Sequence, residues 1–133
     1  MKFKASIEQA QPTNPVSALM MCLLHSVTNA HILHLQSRSY AEHQALGTFY
    51  SEMGDLVDAF IEAYQGKYNI ITDYLVEYEP PTRTAIDYIA YVQGEIEKLR
   101  REPRFPQDTE LQNEMDNIAN LCNSTLYKLR FLK

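Results

Sequence analysis

Residues Ser39–Gly66 read S-Y-A-E-H-Q-A-L-G-T-F-Y-S-E-M-G-D-L-V-D-A-F-I-E-A-Y-Q-G, and the architecture follows from them. Ser39-Tyr40-Ala41-Glu42 has the form of a capping box, in which a serine hydroxyl and a glutamate three residues on satisfy the first free N–H groups of a helix. Behind it Leu46, Phe49, Met53, Leu56, Phe60 and Tyr64 recur at helical spacing. The pattern predicts an amphipathic helix to Gln65, stopped by Gly66. Gly47 and Gly54 lie inside it. Each costs roughly 1 kcal/mol against Ala, and each leaves room for a second helix to come close.

Upstream, Asn14-Pro15 is a helix start, because Asn caps and Pro fits the first turn. A helix to about Gln36 follows, with Leu19, Leu23, Val27, Ala30 and His34 on one face. Residues 1–13 read as a loose arm. Downstream, residues 67–81 form the one long connection. They hold Ile70, Ile71, Tyr74, Leu75 and Tyr78, so the segment is expected to pack on the bundle or on a neighbour, with a short helix as one option. A third helix is expected from Thr82 or Thr84 to about Arg101, with Ala85, Ile89, Val92, Ile96 and Leu99 inward. After the Pro103–Pro106 turn, Asp108 is expected to cap a fourth, striped by Leu111, Met115, Ile118, Cys122, Leu126 and Leu129. The reading is an all-α, single-domain four-helix bundle spanning residues 1–133. Two helical hairpins joined by a long crossover give the ferritin-like form of that bundle.

Bulk properties narrow the function. A chain of 133 residues buries a real core without staples. With 45% hydrophobic residues and only 4 Gly, it is a folded chain rather than a disordered one. The net charge of −5, without a block of Lys or Arg, argues against strong nucleic-acid binding. Cys22 and Cys122 each lie in an apolar stripe and read as buried thiols of a reducing compartment; a disulfide or a metal-ligand role stays open. No signal peptide is visible after Met1-Lys2-Phe3-Lys4, and the apolar run Ala18–Leu24 is too short to cross a bilayer. A soluble cytoplasmic protein without membrane contact is expected.

The chemistry-bearing residues are His31, His34, His43, Asp58 and Glu62. Imidazole with carboxylate is a ligand set for iron, zinc or manganese. On a regular helix Asp58 and Glu62 are about 40° and one turn apart, so both reach one ion. His43 lies about 60° from Asp58 around the axis but roughly 22 Å along it, a gap that one ion does not bridge. An antiparallel copy related by a two-fold axis near Ser51 brings His43 of one chain to Asp58 and Glu62 of the other, twice per dimer. Each residue alone has a plainer reading. The acids, with Asp55, fit a solvated face, His43 a surface position, and His31 and His34 satisfied core histidines; His25 reads as structural.

At these residues the chain resembles the Dps family, the DNA-protection-during-starvation branch of the ferritin-like proteins. His34-Leu35-Gln36-Ser37-Arg38-Ser39 is similar to the family's first-histidine motif, His43 to its second histidine, and Asp58-Ala59-Phe60-Ile61-Glu62 to its acidic pair. Aligned without gaps, His31 takes the first place; aligned on the motif, His34 does, and His34 is preferred. Asp108–Leu132 resembles the family's last helix. The segment Ser39–Gly66 is also similar to small ferritin-like proteins of bacteriophages, which would place the chain in a host cytoplasm. The resemblance implies a homo-oligomer built from two-fold dimers, a dodecameric shell being the family form. It also implies iron bound between subunits and ferroxidase chemistry, Fe(II) being oxidised by peroxide or oxygen and stored. The chain departs from the pattern at Gly47, where the family has a further acid, and at Leu35, where it has Trp. A lysine-rich tail is absent. A non-enzymatic oligomeric structural or interaction protein is the alternative.

Overall fold

The computed structural model describes residues 14–75 and 78–133; the expected arm over residues 1–13 lies outside them. Four helices make up the described secondary structure: α1 (Pro15–Gln36), α2 (Tyr40–Lys67), α3 (Ala85–Leu99) and α4 (Thr109–Phe131). The protein is an all-α four-helix bundle. Helix α1 packs on α2 and α3, and α4 on α2 and α3. The end of α2 meets the start of α4, where Lys67 pairs with Asp108 at 2.7 Å and Glu110 at 2.8 Å. Helices α2 and α4 are therefore antiparallel and α3 runs parallel to α2, so the crossover travels the length of the bundle.

Local chemistry sets most of the ends. The Asn14 side chain accepts the Val16 N–H, the Ser39 hydroxyl that of Glu42, and the Thr84 hydroxyl that of Asp87. The capping box at Ser39 is half-built, because the Ser39 N–H donates to the Ser37 hydroxyl (3.2 Å). Two expected ends differ. Gly66 does not stop α2, which continues to Lys67 with Tyr68 as its cap and no glycine at positive φ among the described residues. The Lys67 pair with Asp108 and the Tyr68 hydroxyl donating to Asp108 (2.7 Å) hold that last turn in place. Asp108 precedes α4 as expected but makes no side-chain cap bond, since its carboxylate is taken by these two groups.

Leu23, Leu46, Phe49, Met53, Phe60, Ile89, Ile96, Leu111 and Met115 are fully buried between the four helices. Each such side chain contributes roughly 1.5–3 kcal/mol over its exposed state. Helix α1 is long and apolar enough to cross a membrane by length and composition alone, yet half of its most apolar stretch is buried in the bundle. The described part of the crossover contains no helix. It packs through Ile71, which is buried, and is pinned by Asn29 of α1. The Asn29 amide donates to the Glu79 carbonyl (3.3 Å) and the Tyr88 hydroxyl (3.1 Å), and its oxygen accepts from the Tyr78 hydroxyl (2.6 Å).

Candidate functional site

The turn Ser37–Ser39 folds α2 back on α1 and sets their histidines face to face. The rings of His34 and His43 stack with centroids 3.6 Å apart and planes 18° from parallel. His34 Nδ1 lies 2.6 Å from the His43 carbonyl oxygen, and His43 Nδ1 lies 2.9 Å from the His34 carbonyl oxygen. A carbonyl only accepts, so each Nδ1 carries the hydrogen and donates. This fixes the tautomer of both rings and leaves each Nε2 outside the exchange. Metal-binding histidines are commonly held in this way through their second nitrogen.

Gly47 makes the arrangement fit. A Cβ at that position would lie 3.2 Å from Cε1 and 3.3 Å from Nδ1 of His34. Gly47 is therefore a seat for an imidazole. Gly54 has no atom within 4 Å of where its Cβ would stand, so within one chain it permits no close approach. His31 lies one turn before His34, with ring centroids 5.9 Å apart, and is exposed. Its ring stacks on Tyr50 at 4.2 Å, and Tyr50 also meets the edge of His34 at 5.4 Å. Tyr50 escaped the sequence reading; its place seven residues after His43, two turns along the same face, was the available signal.

Asp58 and Glu62 project from the exposed side of α2, one turn apart, and neither makes an ion pair or hydrogen bond among the described residues. They do not meet the histidines within the chain. Among the described residues no three His, Cys, Asp or Glu side chains converge as a metal cage. One chain thus holds two separated halves of the expected ligand set.

Other groups are occupied. A cleft of about 510 Å³ lies between α1, α3 and the crossover. Its polar lining pairs with itself: Asn29 as described, Arg83 over the Tyr91 ring at 4.1 Å, and Lys98 with Glu95 at 3.1 Å. His25 meets the edge of Tyr78, and burial lowers its pKa. Cys22 and Cys122 are free thiols, pushed up to about 12 mainly by burial, and so are poor nucleophiles and ligands near neutral pH.

Residues 34–129 match the family model DUF5856, a family of unknown function. The chain belongs to that family. No curated protein matches it, and no solved structure does. The part shared with DUF5856 opens at His34, so it holds His43, Asp58 and Glu62 and leaves His31 outside.

Proposed function

We propose that this DUF5856 protein is a Dps-like, ferritin-fold oligomer that binds iron at sites shared across a two-fold axis. There Fe(II) is oxidised by peroxide or oxygen, and the product is kept in a closed shell. The observation that supports this most is the His34–His43 pair, whose Nδ1 hydrogens are committed to carbonyls, combined with an Asp58–Glu62 couple, unpaired among the described residues, on the helix that carries His43. In this reading His34 and His43 of one chain and Asp58 and Glu62 of another surround the ion, with His31 as the alternative to His34. The imidazoles supply neutral donors. The carboxylates offset the charge gained as iron passes to Fe(III). A set of this size leaves positions open for the oxidant, and it also accommodates zinc or manganese. The protein would work in the cytoplasm, that of a host if the chain is phage-encoded.

A second reading is favoured by Gly47, which receives His34 where the Dps pattern has an acid. Here the histidine pair is a clasp that closes the hairpin, and the oligomer is structural. Anaerobic Fe(II) titration followed by oxidant separates the two. Iron chemistry predicts saturable binding and rapid oxidation, both lost in His43→Ala and in Asp58→Ala. Co-assembly of the two variants then restores about a quarter of the sites, because half of random dimers are mixed and each has one intact site of two. Background oxidation in the wild type, with assembly unchanged in both variants, would leave only the structural reading.

A further inference from the structure

The cleft between α1, α3 and the crossover originates in the sequence of α1. Its wall there carries Ala18 and Cys22, one turn apart, beside Leu19 and Leu23, which fill the core. Side chains as small as Ala18 and Cys22 leave the groove towards α3 open, and Pro80 and Pro81 of the crossover close one end of it. From Ala18 to Asn29 the groove runs about 17 Å along α1, at 1.5 Å per residue. Its volume of about 510 Å³ lies in the range of small-molecule sites.

The two ends of the cleft differ in chemistry. Away from the crossover, Ala18, Met21 and Leu99 form an apolar trough, and Lys98 at its rim is already paired with Glu95 at 3.1 Å. At the crossover end, hydrogen-bond donors gather. Arg83 lies over the Tyr91 ring at 4.1 Å. A cation–π contact consumes no N–H group, and those of Arg83 meet no acceptor among the described residues. The Glu79 carboxylate, exposed on the crossover, is not within ion-pair distance of it. Tyr88 keeps only 6% of its surface accessible, and its hydroxyl accepts from Asn29 at 3.1 Å. The hydrogen of that hydroxyl meets no acceptor among the described residues, and a buried donor left so is costly. A guanidinium and a buried hydroxyl with free hydrogens, opening onto an apolar trough, are complementary to an oxyanion carried on an apolar body.

We propose that this cleft binds a medium-chain aliphatic carboxylate. Arg83 and the Tyr88 hydroxyl hold its carboxylate, and its chain lies along Ala18, Met21, Cys22 and Leu99. None of these residues belongs to the proposed iron site, so metal-free protein serves for the test. Calorimetric titration with dodecanoate, kept below its micelle concentration, should show saturable binding of one molecule per chain. Arg83→Gln should weaken it about tenfold or more, as expected for loss of a hydrogen-bonded charge. Lys98→Gln, whose ammonium is already paired at the rim, should change it by less than about threefold. Ala18→Leu fills the trough and should abolish saturation with helical content unchanged. Dodecan-1-ol, with the same chain and no charge, should bind the wild type no better than dodecanoate binds Arg83→Gln. Absence of saturable binding overturns the proposal. Equal weakening by Arg83→Gln and Lys98→Gln also overturns it, because that reports general charge attraction. So does a folded Ala18→Leu variant that binds as the wild type does, because the chain then lies elsewhere.

Discussion

The two hairpins handle their polar surface in opposite ways. In α3–α4 most of the charges find partners within the chain. Arg100 donates to Gln112 and to Asp116, Arg101 pairs with Glu97, Lys98 with Glu95, and Gln93 bonds Asn123 across the helices. In α1–α2 one helix has no formal charge, the other leaves its outward acids unpaired among the described residues, and the imidazoles of His34 and His43 bond to main chain. A surface that saturates most of its own charge is suited to water. A surface that leaves matching groups apart along one helix is suited to another molecule.

The largest expected effect tests the saturated side. Arg100→Ala strands Gln112 and Asp116 and should lower unfolding free energy by about 2 kcal/mol, in the range for hydrogen bonds to charged groups. Asp58→Asn, which removes a charge of the same size from the other hairpin, should change it by less than about 0.5 kcal/mol. Denaturant unfolding in metal-free buffer measures both, and equal losses would erase the contrast.

A smaller effect separates the glycines. Gly94 in α3 faces open space, so Gly94→Ala should stabilise by roughly 0.5–1 kcal/mol through helix propensity. Gly47→Ala gains the same propensity but crowds the His34 ring, so its net gain should be smaller or negative. The Nδ1–H signals of His34 and His43 should shift in its NMR spectrum and stay fixed in that of Gly94→Ala.

The smallest effect concerns the joint between the hairpins. The Lys67 ammonium holds the Asp108 and Glu110 carboxyls below their ordinary range. Groups depressed on folding stabilise above their unfolded pKa and lose that contribution as pH falls through the folded value. The melting temperature should therefore fall slightly further between about pH 6 and pH 3 in the wild type than in Asp108→Asn, given carboxylates that ordinarily titrate near pH 4. The difference is modest because water screens the network.

The starts of α1, α2 and α3 were legible because Asn14, Ser39 and Thr84 act on N–H groups two or three residues away. The end of α2 and the cap of α4 were not, because Lys67 and Asp108 find each other only after the bundle closes. The candidate site divides in the same way. The nearness of His34 and His43 follows from a short turn between two predicted helices. The exchange of bonds to each other's carbonyls, the seat at Gly47 and the stack on Tyr50 depend on ring orientation, which spacing does not encode. Gly47 illustrates the limit: from sequence it marks a missing acid, and in space it marks room for a ring.

One consequence of the histidine clasp concerns the hairpin's shape. An imidazole that donates through Nδ1 goes on donating whether its opposite nitrogen is bare, protonated or metallated. The mouth of the hairpin therefore needs no refolding to change occupancy, and whatever arrives there meets an architecture already in its final form.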